Sequence, residues 1–386
     1  MKLTRKWVVA GLTSLLMGTS AFAADPGVSK SEIHIGSFLP LQGGLSAGAN
    51  QYKDGLDAYL KWVNKNGGVN GRKIRISFEN DNYNPQQAVS AAKKLVDRDG
   101  VFAIVGTLGT TNNLAAIPYL ASRGVPLIGP LGSHPSINTP TERIVFPISP
   151  LGTAHGRSLT EFAQKDLGAK TVAVFYQDDQ YGKELMQGVE KYARENGMEV
   201  VGRASYVPSD VDFSAQVMSL RATNPDVVFM AVVPKPGALF LREAQKIGWD
   251  SKFLAPHLMA DDISLKLGGD ALEGLYVNLY AAHRSMDTQV VKDAVAAMEE
   301  FAPKTAPDYW AFMGMSGAHL FVEALKRIDG EPTREKLMDA LETLGDYDSG
   351  VIPPVMYTAK GHAGPTKFGF AQVQKGQIKV LKHWAD

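Results

Sequence analysis

Ile33-His34-Ile35-Gly36-Ser37-Phe38, closed by Pro40 and followed by Gly43-Gly44-Leu45-Ser46-Ala47-Gly48, is the stretch that decides the fold. The apolar run reads as a buried strand, and the glycine-rich run as the loop that leaves it. A helix fits 51–66, with Leu56, Tyr59, Leu60 and Val63 at helical spacing, stopped by Gly67-Gly68. Asn70-Gly71 then turns the chain into a second strand over 73–79. Strand, helix, strand is the unit of a parallel sheet. The rhythm continues through a helix over 85–97, a strand over 101–105, a helix over 111–123 and a strand over 126–128. It restarts after 146–150, with strands over 171–176, 199–206, 226–231 and 253–255 and helices over 181–196, 213–223 and 237–247. The pattern predicts an α/β protein of two doubly wound parallel-sheet lobes in tandem. Helices over 289–301, 308–327 and 333–344 follow, and short strands over 355–380 complete lobes begun earlier.

The bulk properties limit the function. Residues 1–23 read as a signal peptide: Lys2, Arg5 and Lys6 form a basic head, 7–18 an apolar run, and Ala21-Phe22-Ala23 a cleavage site. Its removal leaves 37 basic against 40 acidic residues, a net charge of −3, which offers no electrostatic case for nucleic acid. There is no cysteine, so no lipid-anchored cysteine, thiol nucleophile or sulfur metal ligand is available. The expected product is a freely diffusing periplasmic protein that is not membrane-embedded.

Signatures of catalysis are missing. No phosphate loop is present, because Gly182-Lys183 lacks both the first glycine and the hydroxyl. No Gly-x-Gly-x-x-Gly follows the first strand, Ser133 and Ser316 sit in no nucleophile elbow, and no His-Glu-x-x-His pair exists. The chain is therefore read as a non-enzyme with no cofactor and no metal. The loops after strands offer something else. Beside 43–48, the runs Gly106-Thr107-Leu108-Gly109-Thr110-Thr111-Asn112 and Gly129-Pro130-Leu131-Gly132-Ser133 are rich in small and hydroxyl residues. Ligands of doubly wound sheets bind outside strand carboxyl ends, where free helix N–H groups hold an anion. Each hydroxyl alone reads first as a helix cap; the cluster over three loops reads as a carboxylate site.

Ile35-Gly36-x-x-x-Pro40-Leu41, 66–72 (Asn-Gly-Gly-Val-Asn-Gly-Arg), Asp81-x-x-x-x-Pro85-x-x-Ala88, Gln180-Tyr181-Gly182 and Asp212-Phe213 together resemble the periplasmic leucine/isoleucine/valine-binding proteins of ABC importers. The resemblance runs from about Ile33 to the C-terminus. It implies the type I periplasmic binding fold, with lobes of 28–148 plus 281–351 and 149–280 plus 352–386 joined by a three-strand hinge. It also implies a monomer that captures an amino acid or related small carboxylate, an aromatic acid among them, for an ABC permease. The hydroxyl that binds the carboxylate falls on Thr110 and a second on Ser133, with backbone from Leu108, Gly109, Leu131 and Gly132. Tyr181, Val233 and His257 close from the second lobe, and an aromatic wall comes from Trp310 or Phe312.

Two departures bear on the ligand. Where amino-acid binders commonly hold the ammonium with a glutamate, this chain reads Ala255-Pro256-His257-Leu258, and positions that can be tyrosine are Gly48 and Val233. The expectation is an enlarged pocket for a larger carboxylic acid, with His257 on a hydroxyl or second carboxylate. The alternative is that Asp178, Asp261 or Asp262 supplies the lost anion. A sensor docking on a receptor, and an exported enzyme, stand as alternative functions.

Overall fold

The computed structural model describes residues 25–284 and 286–384. The signal peptide expected at 1–23 lies outside them. The first sheet comprises β1 (Glu32–Leu39), β2 (Lys73–Asn80), β3 (Ile104–Leu108), β4 (Leu127–Leu131) and β5 (Val145–Phe146). Its order is β2-β1-β3-β4-β5, parallel throughout. β1, β3, β4 and β5 are buried almost end to end, as expected for strands covered on both faces. Helices Ser46–Lys65 and Tyr309–Lys326 cover one face, and Pro85–Lys93 and Thr110–Ser122 the other.

The second sheet begins with β6 (Thr171–Gln177), β7 (Glu199–Tyr206), β8 (Val227–Ala231), β9 (Lys252–Ala255) and β10 (Tyr276–Leu279). These five run parallel in the order β10-β9-β8-β6-β7. A small antiparallel sheet follows in the chain, of β11 (Gly345–Tyr347), β12 (Val355–Thr358) and β13 (Gly361–Ala363). β14 (Gly369–Gln374) and β15 (Gln377–Lys382) then extend the second sheet antiparallel from β10. The molecule is a two-lobed doubly wound α/β protein.

Three segments cross between the lobes: between β5 and helix Gly152–Lys165, between β10 and helix Gln289–Phe301, and between β13 and β14. The crossings pack against one another and against the small antiparallel sheet and the loop within it. A Cβ on Gly364 would collide with the Ser149 carbonyl, the Ala282 N–H donates to Val351 O at 2.7 Å, and Tyr357 Oη donates to Pro147 O at 2.6 Å.

Several boundaries differ from the sequence reading. The first helix starts inside the expected loop, at Ser46. Helix Gly152–Lys165, which the sequence reading left unassigned, packs on helix Gln180–Asn196. Strand β4 runs through Leu131, so the loop expected from 129 opens only at Gly132.

Candidate functional site

The site starts with how β3 and β4 end. Leu108 and Leu131 are paired last residues of those strands, and Gly109 N–H donates to Leu131 O at 3.0 Å, holding the two loops together. Gly109 has φ +115°, a conformation side chains rarely adopt, and it turns the chain straight into helix Thr110–Ser122. No side chain caps that helix, so its first-turn N–H groups have no partner within the helix. Thr110 Oγ1 accepts from Ser133 N at 3.1 Å and lies 3.1 Å from Ser133 Oγ. Ser149, on the first crossing segment, fixes the same loop: its Oγ donates to Gly132 O at 2.6 Å.

This uncapped helix end opens on a cavity of about 40 Å³ between the lobes. Leu108, Gly109, Thr110, Leu131, Gly132 and Ser133 line it from the first lobe, together with Trp310; Tyr181, Val233 and His257 line it from the second. The structure thus brings together all ten residues singled out in the sequence. It also brings Leu45, Tyr83, His155, Leu258 and Tyr280 into the wall. Tyr83 stands out in the sequence only as part of the Asp81–Pro85 turn, where it adopts a left-handed φ of +56°. His155 lies on the unassigned helix, and Tyr280 on a crossing segment.

The second-lobe wall is a stack of neutral rings. His257 lies 4.8 Å from His155 and 4.5 Å from Tyr280, ring to ring. Tyr280 Oη is 3.3 Å from His257 Nε2, and His155 Nδ1 faces the Asn278 side chain. Burial pushes the His155 imidazole down to about pKa 3 and holds His257 well below its usual range, with neighbouring His155 adding to the effect. Both are uncharged at neutral pH. Tyr181 Oη is satisfied by Val232 O at 3.2 Å, so the residue presents its ring.

Three expectations change. A Cβ on Gly48 would lie 2.6 Å from Trp310 Cε2, so the indole already fills the space a side chain would take there. Gly48 therefore does not enlarge the pocket. Helix Ser46–Lys65 and helix Tyr309–Lys326 touch backbone to backbone, Gly55 against the Ala311 carbonyl, and this contact lays Trp310 over Gly48. Of the two aromatics expected nearby, Phe312 packs into a separate cluster with Met298 and Met315. Gly43 and Gly44 have open space around them, and the first loop contributes only Leu45 to the wall.

The candidate anions are engaged elsewhere. Asp261 caps helix Asp262–Gly268 through Ser264 N at 2.5 Å and accepts the Trp310 indole N–H. Asp178 pairs with Lys183 at 2.7 Å and Asp262 with Arg284 at 3.5 Å. None of the three lines the cavity, nor does any other Asp, Glu, Lys or Arg side chain. Among the described residues, no group of three or more His, Asp or Glu side chains is placed to hold a metal ion.

Two α/β lobes, three crossings and a buried interlobe cavity at strand ends define a bilobal solute-binding architecture. The periplasmic binding protein family matches residues 32–377, and the chain belongs to that family. It is 28% identical over 288 residues to Leu/Ile/Val-binding protein homolog 3 of Brucella melitensis, covering 74% of this chain and 77% of the relative. An amino acid binding protein of Pseudomonas aeruginosa is 26% identical over 301 residues, 78% of each chain. The crystal structure of a substrate-binding periplasmic protein from Ralstonia solanacearum superposes with a TM-score of 0.84 at 26% identity, covering 90% of this chain and 99% of that one.

Proposed function

We propose that the protein is the periplasmic solute-binding component of an ABC importer. It captures an amino acid or related small carboxylate between its lobes as a monomer and hands it unchanged to the permease. The observation that carries this reading is the uncapped N-terminus of helix Thr110–Ser122, opening beside the Thr110 and Ser133 hydroxyls into a buried interlobe cavity. Backbone N–H groups at such an end hold a carboxylate without any cationic side chain. The helix dipole adds roughly 0.3–2 kcal/mol, and the hydroxyls supply further donors. The names of the Brucella and Pseudomonas relatives point to the same class of ligand.

Closure gives the capture its specificity. The first lobe offers the anion site, and Tyr181, Val233, His257 and Tyr280 supply contacts available only when the lobes meet. A ligand shifts the open–closed equilibrium only through such differential contacts. The test is isothermal titration of the purified protein with a panel of amino acids and small organic acids, followed by recovery of the ligand. One carboxylate bound per chain and recovered intact is the expected result. Consumption of the ligand, or binding of uncharged analogues as tight as the acids, would contradict it.

A further inference from the structure

The cavity treats the two charges of an amino acid very differently. An anion finds an uncapped helix end and two hydroxyls. A cation finds nothing equivalent: the wall holds no acidic side chain, and its second-lobe face is imidazole, phenol and aliphatic carbon. The acids packed around the cavity stay outside its wall and each has at least one partner, though Asp81 Oδ2 and Asp308 Oδ2 accept no hydrogen bond. Asp179 accepts from Gly182 N at 3.1 Å and from Gln177 Nε2 at 2.6 Å. Glu184 accepts from Gln180 Nε2 at 3.0 Å, and Asp81 accepts from Tyr83 N at 2.8 Å. Asp261 is sealed by Trp310 and Ser264. Asp308 accepts from Trp310 N at 3.2 Å. A buried ammonium without an anion carries a desolvation penalty that dipoles of this wall do not offset.

One lining residue carries an unspent polar atom. His257 is 4% exposed and lines the cavity, and its Nδ1 has no hydrogen-bond partner. Its Nε2 faces Tyr280 Oη, which can donate to it or accept from it. Nδ1 is then an N–H donor in the first case and an acceptor in the second. A hydroxyl satisfies either tautomer; an ammonium satisfies only the second, at the cost of its charge.

We propose that the cavity selects carboxylates that carry a hydroxyl and no ammonium group, with His257 as the residue that reads the hydroxyl. This rests on the carboxylate-capture reading above and narrows its ligand to hydroxy acids. Binding is measured by titration calorimetry in two matched series: phenylalanine, 3-phenyllactate and 3-phenylpropionate; and leucine, 2-hydroxy-4-methylpentanoate and 4-methylpentanoate. 4-Hydroxybenzoate against benzoate places the hydroxyl at the far end of the ligand. In at least one set the hydroxy acid binds at least tenfold more tightly than its unsubstituted partner, and the amino acids bind weakest. His257→Phe abolishes the hydroxyl's advantage and His257→Gln keeps part of it, each read as the ratio of hydroxy-acid to unsubstituted-acid affinity within the same variant. An amino acid binding as tightly as its hydroxy-acid partner overturns the proposal and leaves carboxylate capture standing. Binding by none of the acids overturns both. The wild-type comparison decides even if a His257 variant does not fold.

Discussion

Thr110 is the residue on which the anion site turns. Its Oγ1 is held between Ser133 N and Ser133 Oγ, and its own N–H begins the uncapped helix. Thr110→Ala removes the hydroxyl but leaves the helix end. Binding of a carboxylate by calorimetry should weaken by about 1–3 kcal/mol, the usual cost of a lost hydrogen bond to a charged group, while thermal stability changes much less. Unchanged affinity would place the carboxylate elsewhere. Residues of this kind were legible because strand ends and glycine-rich loops announce themselves locally. His155 and Tyr280 were not, because only the packing of the second sheet brings them to His257. The space at Gly48 was misread for the same reason: nothing in the sequence near Gly48 shows that Trp310, more than 250 positions later, lies over it.

Helix Tyr309–Lys326 shows how an element can be buried and still carry a titrating group. Nearly every face of it is buried, and the helix begins at Asp308, whose second carboxylate oxygen has no partner. Burial, with Asp261 and Asp262 nearby adding to it, raises the Asp308 carboxyl to about 7. A folded pKa above the unfolded value of 3.8 means stability that is complete below pH 3.8 and is lost as pH rises through about 7. Asp308→Asn keeps the cap and cannot ionise. It should stabilise the protein by about 1–3 kcal/mol more at pH 8 than at pH 5, read from thermal unfolding at the two values. An equal effect at both would refute the assignment. His155 works in the opposite sense: its depressed pKa withdraws stability as pH falls from 6.5 toward 3. At the crossings, Gly364→Ala forces a methyl onto the Ser149 carbonyl, which also anchors Asn138 Nδ2 at 2.7 Å. The expected loss is about 1–3 kcal/mol of stability, as for overpacking, seen as a lower melting temperature. The helical elements after residue 280 were legible from periodicity. Helix Gly152–Lys165 was not, because glycines at its first and fifth positions and the adjoining crossing obscure its start.

Across the whole molecule, an anion site on one lobe faces a neutral, ring-lined surface on the other. The alternation of strands and helices made two doubly wound lobes readable in the sequence. The antiparallel β14 and β15 at the edge of the second sheet were readable only as short strands, since β14 joins the sheet through β10, about 90 residues earlier. Contacts across the cleft already tie the lobes: Trp310 to Asp261, and Gln177 Nε2 to Tyr83 Oη at 3.4 Å. A bound solute adds to these, and its binding should raise the melting temperature in proportion to the logarithm of its excess over Kd. The most direct measurement is a crystal structure with whichever acid of the calorimetric series binds most tightly. Its carboxylate is expected within hydrogen-bond distance of Thr110 Oγ1 and Ser133 Oγ, at the start of helix Thr110–Ser122, with the rest of the molecule against Tyr181, His257 and Trp310. A ligand bound outside this cleft, or one whose carboxylate faces the histidines, would contradict it.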